Sequence, residues 1–319
     1  MAVHLTAGTE GVLEGGAFCI LALESRLCSS GYTRQDMGNM EEDGRQAAEL
    51  AAWSVKAFTP AFRSCLLLGD IEHCLAGSVF AKMMAEVRVA IVADPDEAYS
   101  CTLKWAPWSQ YQVPEGIRRR VKSVRIVNDT TFSCLKSNVH FCSKLALGYD
   151  LSVAPSPLAF HGPCVVKSEK NAQHDGRIVQ CPQESLLPDA VYERLVDNVV
   201  DGQHVEDIRV PVVGDQIPFV YLKYRSVDSR FSNENSCAKL AGKYQVLSRE
   251  EIDRLKRFAS IIGLDYGEID VLRDRSTGRI YVIDANNTPY GPPNHLAVME
   301  ADIAVRLLAD AFVDEFFER

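Results

Sequence analysis

The sequence predicts a mixed α/β protein, and three observations carry that prediction. Apolar residues recur at three- and four-residue steps over 45–58, short β-branched runs occupy 87–93 and 121–128, and several β-rich stretches follow between 164 and 224. The 319 residues are 47% hydrophobic and 24% charged, which is ample material for ordinary packed cores and argues against disorder or a small disulfide scaffold. No internal repeat and no low-complexity tract is present, so solenoids and propellers are not expected.

Taken in order, residues 1–44 are Gly-rich and then polar, and read as a loose arm or cap. The helix over 45–58 carries Ala47, Leu50, Ala51, Val55 and Phe58 on one face. The run at 87–93 closes on Asp94-Pro95-Asp96, a strand into a turn, and 121–128 reads as a further strand. Helix and strand alternate, so 45–123 is expected to be an open α/β domain. Strands are expected at 164–167, 207–214 and 217–224, the last two joined as a hairpin by Asp215-Gln216. Ser248 and Gly263 bracket a helix over 249–262 as N-cap and C-terminal stop. Strands at 267–272 and 279–284 flank the turn Arg275-Ser276-Thr277-Gly278, and a final helix over 297–317 packs on the body.

Charge narrows the function classes. With 34 Lys+Arg against 43 Asp+Glu the formal net charge is −9, so no general attraction to nucleic acid or an anionic membrane is expected. Any bound phosphate must be held locally. The apolar stretch at 17–23 is far shorter than the roughly 20 residues that span a bilayer. Glu10 and Glu14 precede it where a secretory signal carries Lys or Arg, so a cytoplasmic location is expected. The ten cysteines include no C-x-x-C pair and lie in apolar surroundings; they read as buried reduced thiols, and zinc is not expected.

Chemistry concentrates near the C-terminus. On adjacent antiparallel strands Asp270 points away from Ile269 and Val271, while Asp284 and Asn286, two apart, share a face. Three hard oxygen donors can therefore converge, which suits Mg²⁺ completing its shell with phosphates and water. The plainer alternative is that Asp284 and Asn286 end a strand and start the turn Asn287-Thr288-Pro289.

This segment resembles the closing motif of the ATP-grasp superfamily. The similarity continues upstream and is nearest to the branch containing the ribosomal-protein glutamate ligases. The stretch from Asn128 to Lys136 is similar to that branch's asparagine-led run ending in a nucleotide lysine, and Pro163-Cys164-Val165-Val166-Lys167 resembles the strand carrying the second lysine. Asp207-Ile208-Arg209-Val210 resembles the D-[IL]-R-V hairpin, and Arg230 and Asn233 the arginine and asparagine after it. The resemblance covers 124–317 and implies an ATP-grasp fold: an arm (1–44), the α/β domain (45–123) and two α+β lobes (124–200 and 201–319) clamping a nucleotide. Lys136 and Lys167 would neutralise the triphosphate, a task for which two cations on separate elements are suited.

By the same resemblance, 168–176 is the loop covering the phosphates, with Asn171, His174 and Gly176 toward the nucleotide; the family's two or three glycines here shrink to Gly176. His174 is otherwise an exposed turn residue. Glu193, Leu195 and Val196 fall at the adenine hinge. Arg209, Arg225, Arg230 and Lys223 would receive an acidic substrate or the transferring phosphoryl group, the arginines as catalytic residues. Because alternate strand residues face opposite sides, not all four are expected to reach the cleft, and Arg230 with Asn233 is the preferred pair. Asp284 stands where the family has Glu, and Ser236-Cys237 where it has a glycine pair.

What the resemblance implies for function is an ATP-dependent ligase joining a small carboxylic acid to an amine through an acyl phosphate. ATP and two Mg²⁺ ions, or Mn²⁺ in their place, are the implied cofactors. No nucleic-acid or membrane partner is implied, and a homodimer stays open. A small-molecule kinase on the same fold and a non-catalytic nucleotide-binding regulator are the alternatives. The loop from Asn287 to Pro293 either shapes the acceptor pocket or simply turns the chain.

Overall fold

A computed structural model describes residues 63–122, 125–131, 133–170 and 173–317; the arm at 1–44 and the helix at 45–58 lie outside the described residues. The described chain begins with β1 (Ser64–Gly69), α1 (Ile71–Leu75) and α2 (Val79–Glu86), followed by β2 (Ala90–Val92) and β3 (Cys101–Trp105). These strands form a parallel sheet in the order β2-β1-β3. Asp70 and Ser78 cap the two helices by accepting from the His73 and Ala81 backbone N–H groups at 2.9 and 3.0 Å.

Two strand expectations are corrected here. The run at 87–93 is shortened to Ala90–Val92, because α2 continues to Glu86 and Arg88 then adopts a left-handed φ of 57°. The strand expected at 121–128 reduces, among its described residues, to one parallel bridge of Val127 with Leu103. Asn128 ends it by turning left-handed, with φ 64°. Its side chain explains the turn: Nδ2 donates to Tyr266 O, and Oδ1 accepts from the Asp265 and Tyr266 N–H groups, all within 2.9 Å.

Next come α3 (Glu115–Arg118), α4 (Lys136–Leu147) and the antiparallel strands β4 (Gly162–Ser168), β5 (Arg177–Cys181) and β6 (Ala190–Arg194), ordered β5-β4-β6. A larger antiparallel sheet follows, built from β7 (His204–Val213), β8 (Val220–Ser226), β9 (Cys237–Ala241), β10 (Tyr266–Arg273) and β11 (Ile280–Asn286) in the order β11-β10-β7-β8-β9. The β7–β8 connection turns one residue earlier than expected: Val213 and Gln216 exchange backbone hydrogen bonds around Gly214, whose φ is 55°.

Helices α5 (Lys243–Val246) and α6 (Arg249–Ile262) precede β10, and α7 (Val298–Phe316) closes the chain. Ser248 and Glu251 form a reciprocal capping box at the start of α6. Gly263 ends α6 at φ 79°, where a Cβ would come within 2.6 Å of Thr130 Oγ1, so both backbone and space require glycine.

Strand parity divides the large sheet into two faces. Ile208, Val210 and Val212 of β7, Val220 of β8, and Ile269 and Val271 of β10 are buried against α4 and α6. Alternate residues must point the other way, and these are Asp207, Arg209, Lys223, Arg225, Glu268 and Asp270. At one end Tyr221 and Tyr266 join a second core, in which Phe312 of α7 meets Phe80 and Tyr266 at 5.2 and 5.3 Å between ring centroids. The final helix thus packs against α2 and the ring of Tyr266. The eight described cysteines are free and seven of them are buried. Among the described residues no helix is long and apolar enough to cross a membrane.

Candidate functional site

The polar face of the large sheet, β4 and the first turn of α4 enclose a cleft of about 410 Å³. Among the described residues eight lysines and arginines line it against four aspartates, in a chain whose formal charge is −9. Positive potential is therefore concentrated where the sequence requires any phosphate to be held.

Lys136 opens α4, and its Nζ donates to Lys170 O at 3.3 Å. Lys167 on β4 places Nζ 2.8 Å from Glu193 Oε2 and 3.4 Å from Ile283 O. Glu193, 3% exposed, also has Oε1 2.9 Å from His140 Nε2. Burial pushes the Glu193 carboxyl up, but Lys167 and His140 outweigh it and hold the group below the ordinary range.

On the sheet, register does the positioning. Asp270 is paired across to Arg209 on one side and Asp284 on the other, and Asp207 to Lys223. Arg209 Nε and Lys223 Nζ both donate to Asp270 Oδ1 at 2.9 Å, and a second Arg209 nitrogen donates to Oδ2 at 3.0 Å. Despite burial, those two cations hold the Asp270 carboxyl far below the usual range. Asp284 goes the other way: burial and Asp270 raise it, with Lys136 and Lys167 partly offsetting them.

The expectation that Arg209, Arg225, Arg230 and Lys223 cannot all face the cleft is overturned, since all four line it. Lys223 and Arg225 are two apart on β8, and the Asp207–Lys223 pairing puts Arg209 on their side. Arg225 hydrogen bonds Asp207. Arg230, of the preferred pair, holds the segment after β6: it donates to Asn198 Oδ1 at 2.7 Å and to Val196 O at 3.2 Å. Burial lowers its pKa.

Asn233, His174 and Gly176 also line the cleft, whereas Glu193, Leu195, Val196 and Asn286 are not among its lining residues. Asn286 closes a turn, accepting from Thr288 N–H at 3.0 Å, as the plainer sequence alternative holds. Asn171 lies outside the described residues. The loop after β4 is tied by Asp175, whose carboxylate accepts from Ser168 N–H at 3.0 Å and from its hydroxyl at 2.5 Å. Residues 290–294 form the far wall. Lys82 Nζ donates to Gly291 O at 2.6 Å, and Tyr290 Oη donates to His73 O at 2.7 Å.

Sequence reasoning missed His140, Asp207, Glu268 and Lys82. Glu268 carried a usable signal, being two residues from Asp270 and hence on its face. Burial lifts its carboxyl to about 7, and Arg209 approaches Oε2 at 3.2 Å as an ion pair without hydrogen-bond geometry. His140, one helical turn beyond Lys136, carried none, because its partner lies on a distant strand.

Arg209 and Lys223 engage Asp270 Oδ1 twice and Oδ2 once, and a divalent cation would offset the buried charge of Asp284, its partner across the sheet; among the described residues no group of three or more His, Cys, Asp or Glu side chains is arranged to hold a metal ion.

No family profile and no curated protein matches the sequence. Solved structures do. The chain is similar to the ATP-grasp ligase PsnB complexed with a minimal precursor, at 14% identity over 80% of this chain and 99% of that one, TM-score 0.52. It is similar to the VanG D-Ala:D-Ser ligase of Enterococcus faecalis, at 10% identity over 80% and 99%, TM-score 0.54. The D-alanine–D-alanine ligase of Bacillus anthracis complexed with ATP gives 14% identity over 80% and 97%, TM-score 0.52. The chain has the ATP-grasp fold.

Proposed function

We propose that this ATP-grasp chain is an ATP-dependent ligase that joins a carboxylate to an amine, nearest in kind to the ribosomal-protein glutamate ligase branch. One observation carries the reading: Asp270 and Asp284 stand opposite each other, and Lys136 and Lys167 lie close enough to offset the charge of Asp284. In this reading they supply a cation site and a phosphate site in one cleft.

In this reading Lys136 and Lys167 bind the triphosphate, and Asp270 and Asp284 hold Mg²⁺, which supplies neutralisation of the phosphoryl charge. A substrate carboxylate oxygen attacks the γ-phosphorus and the bond to the β-phosphate oxygen breaks, releasing ADP. The amine then attacks the acyl carbon; the C–O bond breaks and phosphate leaves with loss of one amine proton. Arg209, Lys223 and Arg225 face the same cleft and stabilise charge on the transferring group. The wall at 290–294 and the loop around His174 exclude water from the activated acid.

The domain reading that accompanies this function keeps 45–123 as the α/β domain and 124–200 and 201–319 as the two lobes, with a cytoplasmic location. The test is hydroxylamine trapping with ATP, Mg²⁺ and a panel of acids. The ligase reading expects a hydroxamate and stoichiometric ADP. ADP with a stable phosphate ester on a hydroxyl acceptor would instead indicate a kinase, and nucleotide binding with no ADP release across the panel a regulator.

A further inference from the structure

Lys167 and Lys136 belong to different elements, β4 and α4, yet a triphosphate needs both ammonium groups at a fixed separation. The connection between them is His140. It lies four residues after Lys136 on α4, hence on the same face of the helix, and is buried, at 8% exposure. Its Nε2 is 2.9 Å from Glu193 Oε1, while Glu193 Oε2 is 2.8 Å from Lys167 Nζ. Parity puts Glu193 and Lys167 on the same face of the small sheet, since Val165 pairs with Glu193 and Lys167 with Val191.

We propose that His140 is a positioning residue for nucleotide binding: through Glu193 it fixes the Lys167 ammonium relative to Lys136. This rests on the reading of the cleft as a nucleotide site. A buried carboxylate with one oxygen unpartnered is free to rotate, and Lys167 then follows it or loses it. With both oxygens engaged, the rotamer of Glu193 is locked and Lys167 is held extended toward the cleft.

The test is a double-mutant cycle read by calorimetric ADP titration of the full chain. His140→Leu should weaken ADP binding roughly tenfold, the scale of a coupled buried pair. His140→Asn, whose amide is too short to reach Glu193, should do the same and serves if the leucine variant does not fold. His140→Gln, whose amide nitrogen can occupy the Nε2 position, should bind within about twofold of the natural chain. In a Lys167→Met background, removing His140 should cost nothing further. The proposal is overturned if affinity survives loss of His140, or if the loss is equally large without Lys167, which would mark a merely structural histidine. If the unmodified chain fails to bind ADP, the nucleotide reading falls, and this one with it.

Discussion

Gly176 lies against the ring of Phe231: a Cβ at Gly176 would sit 2.8 Å from Phe231 Cδ1. The contact ties the loop between β4 and β5 to the segment after β8, and both residues line the cleft. It accounts for the one glycine kept in a loop that resembles glycine-rich ones. The Arg230 guanidinium, 5.6 Å from the same ring, extends the tie to the segment after β6. Gly176→Val should therefore weaken ATP binding and cost about 1–3 kcal/mol in urea unfolding, the usual range for overpacking. Phe231→Ala in the same chain should recover most of the stability.

The two aspartates of the cleft are predicted to behave oppositely. Asp270 neutralises Arg209 and Lys223, so Asp270→Asn leaves buried Lys223 with a neutral partner and Arg209 with Glu268 alone, and should cost about 3–5 kcal/mol. Burial disfavours the charge on Asp284, so Asp284→Asn should leave stability at pH 7 unchanged or raised. Both should lose Mg²⁺-dependent nucleotide binding. Chemical denaturation of the two variants side by side checks the contrast, and Asp284→Asn is the cleaner probe of the metal.

Glu193 links stability to pH. Its carboxyl is held below the ordinary range in the folded chain, so it binds fewer protons there than when unfolded. Its contribution is complete above the ordinary Glu range and is lost as pH falls through the depressed value. Glu193→Gln should therefore be destabilised at pH 7 by roughly 3–5 kcal/mol, with Lys167 left uncompensated. The difference from the natural chain should begin to shrink as pH falls below the ordinary Glu range and close only below the depressed value of the folded carboxyl, where both carry a neutral side chain. Denaturation midpoints across pH 3–8 would show it.

Asn128 is structural. It combines a left-handed φ with hydrogen bonds to the backbone of Asp265 and Tyr266 while fully buried. Asn128→Ala loses those bonds and is strained at that φ, so a cost of about 3 kcal/mol is expected in thermal or urea unfolding. Asn128→Gly relieves the strain alone and should fall between.

Features written in local sequence were legible. The β10–β11 hairpin, the capped helix at Arg249–Ile262 and the convergence of Asp270 with Asp284 all follow from periodicity, caps and parity. Parity misled only where register was unknown: Arg209 and Lys223 share a face because Asp207 pairs with Lys223, which spacing within one strand does not specify. Strands Ser64–Gly69 and Cys101–Trp105 were not anticipated, the former because a continuous apolar run lacks the alternation of a half-buried strand. Conversely, β-branched residues at 121–128 read as a strand, yet among the described residues only Val127 forms a bridge to a strand. His140 and Glu193 meet across 53 positions, and only folding brings them together.

Calorimetric titration with a non-hydrolysable ATP analogue, with and without Mg²⁺, addresses the cleft most directly. Saturable one-to-one binding that requires Mg²⁺, and that is weakened by about tenfold or more but still measurable in Lys167→Met and Asp284→Asn, is the expected result. Absence of binding in the presence of Mg²⁺, or binding indifferent to both substitutions, would contradict a nucleotide site built from Lys136, Lys167, Asp270 and Asp284.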